Sequence, residues 1–317
     1  AMTIALDETR VAEFWRFVAE RHAIFVRRHL RKESPPWTAD PLLQRGRFTN
    51  IYRDLDRVTR WLMIHVLPGG AKAPEFSAED CAFNVLVYRR FCRPEVFTGL
   101  SGPRPRTEWD WRAAGEWLSA AQARGERIFT GAFIVTNAGS HDPKRVLVVR
   151  HLTETAAVWP KIWADVTDAP SLREAHRALL PLSGMGPFLA YEALIDYCTG
   201  GLLKHSLDGW VWAGPGAVRG ASIVAGQRLV RRDAVAVITR LRDDQEAMLR
   251  TAGAMLFGPR LTLENVEQAL CEFAKYERLR LTGKTKRRFA PRRDDDGPWD
   301  SLPDRFTQET LWRTNVV

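Results

Sequence analysis

The stretch 179-LLPLSGMGPFLAYEALIDY-197 sets two glycines one residue apart between apolar runs, with a proline directly behind them. Upstream, Ser171 and Glu174 form a capping box that opens a helix running to about Leu182. Gly184 suits the left-handed residue that ends a helix, and Gly186 lets the backbone pass without a Cβ. Pro187 is at home in the first turn of a second helix, Phe188–Tyr197, which packs Leu189, Ala193 and Leu194 on the first. The spacing predicts a helix–hairpin–helix. A bend of this kind leaves main-chain amides at a helix N-terminus facing outward, where the helix dipole also favours an anion. The Gly184-Met185-Gly186 turn is therefore a candidate grip on a nucleic-acid backbone.

The rest of the chain agrees with a mainly α protein. Apolar residues at Val11, Phe14, Trp15, Val18, Phe25, Val26 and Leu30 make one helical stripe, and Phe48, Ile51, Tyr52, Leu55, Val58 and Leu62 predict a second. Capping boxes are expected at Ser77 with Asp80 and at Thr107 with Asp110, and Thr262 is expected to cap a helix to about Leu281. Val235–Leu256 reads as one further helix. Only Phe129–Thr136 and Arg145–Arg150 alternate in the way of strands. We find no internal repeat and no linker long enough to separate independent domains. The expected organisation is a single enzyme domain over 1–317. Its approximate lobes are 1–110 and 233–317 flanking a cleft, with 111–232 carrying the hairpin and a glycine loop at 208–220.

Composition narrows the function. In 317 residues, Lys and Arg number 47 against 38 acids, an excess of +9 that favours a polyanionic partner. The charge is clustered: Arg21–Arg60 holds ten Lys/Arg against four acids, interleaved with Trp37, Phe48 and Tyr52, a mixture suited to a nucleic-acid groove. Cys81, Cys92, Cys198 and Cys271 form no CxxC pair, which argues against zinc or iron–sulfur sites and for reduced thiols. No apolar run approaches the roughly 18–20 residues of a membrane span, and the first residues lack a signal-peptide pattern. No G-x-x-x-x-G-K-[ST] loop occurs, so no ATP chemistry is expected of these residues.

Two resemblances follow from particular residues. "LSGMGPFLA" (182–190) resembles the hairpin of the helix–hairpin–helix DNA glycosylases, in many of which a catalytic Asp follows by about twenty residues; Asp208 stands in that neighbourhood. Phe188 occupies the position of the catalytic Lys of bifunctional glycosylases, so lyase chemistry there is excluded. More of the chain resembles the alpha-glutamyl/putrescinyl-thymine pyrophosphorylase family, which shares its helical domain with bacteriophage 5-hydroxymethyl-deoxyuridine DNA kinases. The resemblance lies in "FWRFVAERHAIFVRRHL" (14–30), "PPWTADPLLQRGRFTNIYRDLDRVTRWL" (35–62), "YRRF" (88–91), "IFTGAFIV" (128–135) and "DGWVWAGPGAVRG" (208–220).

That resemblance implies a transferase that replaces the phosphate or pyrophosphate of phosphorylated 5-hydroxymethyluracil in double-stranded DNA with an amine, from an amino acid or a polyamine. A 5-hydroxymethyluracil DNA kinase would be its functional partner, and the host cytoplasm its workplace. The base would be brought out of the stack, with Trp37, Phe48, Tyr52 or Trp210 as stacking partners. Arg47, Arg53, Arg57, Arg89 and Arg219 are candidates for the leaving phosphate, and the Gly214–Gly220 turn, through Gly214 and Gly216, for an anion nest. Asp208 is the chosen general base, with Asp54 and Asp56 as alternatives. Asn50 and Asp56 would lie about 120° apart on a helix and border one cleft. Arg21, Arg27 or Arg28 would read an amino-acid carboxylate, and His22 or His65 would carry protons. No metal or other cofactor is expected, except a monovalent cation at the hairpin carbonyls by analogy with glycosylases. The competing readings are a DNA glycosylase and a non-catalytic DNA-binding protein.

Overall fold

The computed structural model describes residues 4–130, 140–285, 288–289 and 306. Among these it is helical, with no strand. In chain order the α-helices are α1 (Glu8–Phe25), α2 (Pro41–Arg45), α3 (Arg57–His65), α4 (Ala78–Phe91), α5 (Pro94–Gly99), α6 (Trp111–Ala123), α7 (Lys144–Thr167), α8 (Leu172–Leu179), α9 (Pro187–Thr199), α10 (Pro215–Val224), α11 (Arg231–Asp243), α12 (Gln245–Thr251) and α13 (Leu263–Thr282). A wider π-helical turn, Val26–Leu30, continues α1. The chain divides into two compact units, 1–57 with 211–317, and 58–210. These boundaries fall at 57/58 and 210/211, where the sequence reading drew its lobes at 110/111 and 232/233.

In the first unit, α10 lies against α13, and α1 packs on α10, α12 and α13. Phe14 meets Phe273 edge-on at 5.5 Å, and Phe17 lies 5.6 Å from the same ring. Thr262 does cap α13, with Asn265 completing the box, and Gly283 ends the helix at φ +63. The close approach of α10 and α13 needs Gly220, because a Cβ there would fall on the carbonyl oxygen of Leu270. Gly220→Ala is expected to lower stability by about 1–3 kcal/mol through overpacking. An unchanged urea midpoint would remove that role.

The second unit is built around α4. Every residue from Cys81 to Phe91 is buried, so this helix is surrounded on all sides, by α5, α7 and α9 among others. Such a helix shows no polar face, although its sequence includes Asn84, Arg89 and Arg90. Ser77 caps it as expected, accepting from the Asp80 amide at 3.0 Å. Ser171 likewise caps α8 through the Glu174 amide at 3.3 Å. At α6 the cap is Asp110 itself, which accepts from the Ala113 amide at 2.9 Å, while Thr107 sits in a 3-10 turn. The longest helix, α7, contains Pro160. Proline has no N–H for the carbonyl one turn earlier, that of Ala156. Arg106 supplies the missing donor, its Nη1 lying 2.9 Å from that oxygen.

Three expectations are corrected, and a fourth lies mostly outside the described residues. Residues 145–150 belong to α7, whose buried Leu147, Val148, Leu152, Thr155, Ala156 and Trp159 follow the helical period; three valines had mimicked strand alternation. The 129–136 candidate lies mostly outside the described residues; Phe129 and Thr130 are not in a strand. The 235–256 stretch is two helices, α11 and α12, divided at Asp244, and its last five residues lie beyond the end of α12 at Thr251. Residues 48–62 are not one helix. A loop and a 3-10 turn (Arg53–Leu55) precede α3. Side chains of Asn50 and Asp56 there bond the main chain and so compete with helix formation.

Candidate functional site

In the first unit, the loop before α3 closes on itself. The Asn50 amide donates to Asp56 Oδ1 at 3.0 Å, and Asn50 Nδ2 donates to the Leu55 carbonyl at 2.7 Å. From α1, Arg21 Nη2 reaches the Asn50 Oδ1 at 2.9 Å and the Phe48 carbonyl at 3.1 Å. From α13, buried Glu272 accepts from the Thr49 amide at 3.2 Å and pairs with Lys275. The expected pair Asn50 and Asp56 is thus together, by direct contact rather than around a helix. Asp56 keeps part of its surface open while protein crowds the carboxyl. Burial pushes that carboxyl up to about 6, against the pull of the Asn50 amide and of the Arg21 charge. Burial also lowers Arg21. A carboxylate poised near neutrality, partly open and flanked by an arginine, is equipped to take a proton.

Its neighbours are less accessible. Tyr52 is fully buried, donates to the Pro259 carbonyl at 2.6 Å and lies edge-on to His22, so it is not a stacking surface for a base. Burial pulls the His22 imidazole down to about 3, which keeps it neutral, and the side chain is sealed away from solvent. Arg53 and Asp54 are buried in the 3-10 turn. Arg27 is engaged with Glu20 and the Trp37 carbonyl, and Arg28 lies 4.8 Å over the Trp37 ring. Trp37 and Phe48 keep partial exposure. Arg47, Arg57 and Arg219 are exposed and make no ion pair among the described residues. The 214–220 stretch, expected as a turn, is the start of α10 with Gly214 as its N-cap; the Gly214 amide donates to Glu267 Oε1 at 2.8 Å, so a carboxylate of the protein holds the place foreseen for a phosphate. Gly216 is explained by packing, since a Cβ there would meet the Cys271 sulfur.

In the second unit a turn joins α8 to α9, and α8 ends at Leu179, short of the expected Leu182 and of Gly184. Gly184 takes φ +64 and is exposed, Met185 turns inward, and Pro187 opens α9. A Cβ on Gly186 would meet open space. The turn is fastened from behind by Arg90, a buried residue that sequence reasoning passed over. Its Nη1 donates to the Gly184 carbonyl at 2.7 Å and its Nη2 to the Ser183 carbonyl at 3.2 Å. Burial pulls its guanidinium down to about 10, so it remains charged at neutral pH. The available signal was its place in "YRRF", flanked by apolar residues on both sides.

Arg89 is corrected from a phosphate ligand to a structural group. It is buried, forks onto Asp196 with Nε–Oδ2 at 2.6 Å and Nη2–Oδ1 at 2.8 Å, and also reaches Thr59 Oγ1 at 3.1 Å. Trp210 is partly exposed and borders His176 and Tyr191. His65 stacks on Trp61 and bonds its carbonyl. Asp208 sits partly exposed in a turn, its amide donating to Ser206 Oγ at 3.1 Å. Among the described residues no group of His, Cys, Asp and Glu is arranged to hold a metal ion, and no helix is long and apolar enough to cross a membrane.

Comparison with known proteins gives a consistent result over most of the chain. Residues 8–286 match the family described as "5-hmdU DNA kinase, helical domain". The 5-hmdU DNA kinase of Bacillus phage SP10 is 29% identical over 288 residues, covering 82% of this chain and 43% of the relative. The chain therefore spans less than half the length of that relative. No solved structure matches. The matched span contains Arg21, Asn50, Asp56, Arg90 and the hairpin.

Proposed function

Because this chain belongs to the family of the 5-hmdU DNA kinase helical domain, we propose that it acts on modified thymine in phage DNA, as a transferase that joins an amine to the C5 methylene of phosphorylated 5-hydroxymethyluracil. The amine nitrogen forms a bond to the methylene carbon. The carbon–oxygen bond breaks, and phosphate or pyrophosphate leaves with the electron pair. The proton shed by the nitrogen goes to a carboxylate. The observation that carries this reading is Asp56, whose carboxyl stands at about 6 within hydrogen-bond reach of Asn50 and in the field of Arg21. Such a group is ionised at neutral pH yet basic enough to accept a proton. Asp208, first choice on sequence position, stands as the second candidate.

Arg47, Arg57 and Arg219, in the first unit with Asp56, are the exposed cations for the leaving phosphate, and Trp37 and Phe48 of that unit the partly exposed rings for the base. The hairpin would hold the DNA strand. The amine donor is an amino acid or a polyamine, a 5-hydroxymethyluracil DNA kinase supplies the substrate, and the infected host's cytoplasm is the setting. The hairpin favours one other reading, a DNA glycosylase.

The test is an incubation of the protein with phosphorylated 5-hydroxymethyluracil DNA and a panel of amines, followed by digestion to nucleosides and mass spectrometry. An amine-linked nucleoside is expected. Free base with abasic sites would establish the glycosylase instead. Unchanged DNA retained in a salt-dependent manner would leave a binding protein.

A further inference from the structure

The glycosylase-like hairpin implies a monovalent cation held by its carbonyls, and the residues present do not fit one. The Ser183 and Gly184 carbonyls, two successive oxygens of the turn, both accept from the guanidinium of Arg90. A metal ion drawn to the same oxygens would meet a fixed, buried positive charge. We infer that Arg90 is a positioning residue that replaces a bound cation at the hairpin, so that this protein grips DNA without needing any particular metal ion.

The geometry explains how. In a trans peptide the C=O and N–H point in opposite directions. With the Ser183 oxygen turned inward to Arg90, the Gly184 amide of the same peptide points outward, where Gly184 is exposed. Gly184 at φ +64 cannot accept a side chain, since a Cβ would collide with the His151 ring behind it. Arg90 itself is carried on α4, the helix enclosed on all sides, so the support is rigid. Its charge stands directly behind a surface that would meet phosphate, adding attraction that a neutral donor such as glutamine would not. Arg89 next to it is spent on Asp196, which leaves Arg90 as the cation of this pair that faces the turn.

The inference rests on the hairpin contacting DNA, and the experiment separates the two. Affinity for a duplex containing 5-hydroxymethyluracil is measured in potassium, sodium and tetramethylammonium chloride at one ionic strength. For the parent protein the three values are expected to agree within about two-fold, since non-specific screening is the same at one ionic strength. Arg90→Met is expected to bind about ten-fold more weakly, the scale of one charge-assisted contact, and to regain affinity in potassium or sodium relative to tetramethylammonium. Arg90→Lys, which keeps the charge, should retain most of the affinity and covers the case in which the methionine variant fails to fold. A parent protein that loses about ten-fold or more in tetramethylammonium would overturn the role of Arg90, by the same scale of one contact. So would Arg90→Met binding at parental strength while Gly186→Glu, which sets a like charge against phosphate on the open side of the turn, abolishes retention. If Gly186→Glu binds normally, the hairpin is not the DNA contact, and both ideas fall.

Discussion

An Asp56→Asn protein is expected to withstand heat better than its parent while transferring amine about 10²- to 10⁴-fold more slowly, the usual worth of a positioned proton acceptor. Both effects have one cause. Burial raises this carboxyl from its ordinary 3.8 to about 6, so the folded chain binds the proton more tightly than the unfolded chain. What Asp56 contributes to stability is then greatest below about pH 4 and is lost as the pH rises through 6. Above that range the ionised group costs about 3 kcal/mol, for a displacement of about two pH units. Asparagine removes the charge, and its Oδ1 can still accept from the Asn50 amide. Turnover of the parent should rise through pH 6 as the carboxyl ionises. Thermal melts and an activity profile from pH 5 to 8 check both expectations. A variant that is less stable and still active would take Asp56 out of the chemistry. Asp208→Asn, in the same assay, shows whether the proton acceptor lies there instead.

Asp196→Ala is expected to be the most damaging single change to the second unit, at about 3–5 kcal/mol, because it leaves the guanidinium of Arg89 buried without its carboxylate. The pair is bidentate and both residues are buried, so water cannot step in. The double variant Arg89→Met with Asp196→Ala should recover much of the loss, since no charge is then stranded. Urea midpoints of the three proteins give the coupling directly. A loss below about 1 kcal/mol for Asp196→Ala, in the range of an exposed pair, would mean that solvent reaches Arg89.

The turn at 184–187 is legible because its signals are local, whereas the end of α8 at Leu179 is not marked by them. A left-handed glycine, an unobstructed glycine and an N1 proline each reflect the backbone of their own position. The serine and threonine caps at 77, 171 and 262 were legible for the same reason. What failed was periodicity without its context. Phe48 to Leu62 has a helical spacing, yet Asn50 and Asp56 offer the backbone a competing set of bonds, and the chain follows those. Val146, Val148 and Val149 mimic a strand, yet the residues after them place a buried helical face on the unit's core. Burial of charge was invisible altogether. Arg89, Arg90 and the exposed Arg219 are the same letter, and only the packing of α4 tells the two structural cations from a free one. The helical spacing of Asn50 and Asp56 belongs to a helix the chain does not form, and the two meet instead through the Asn50 main-chain amide.

Pro160 has a wider meaning for how this sequence can drift. Its ring deprives α7 of one rung, and the repair comes from position 106, more than fifty residues earlier. The two sites are therefore tied as one heritable unit. A lineage that restores an ordinary residue at 160 releases 106 from its duty, whereas one that alters 106 first inherits an orphaned oxygen in the middle of its longest helix.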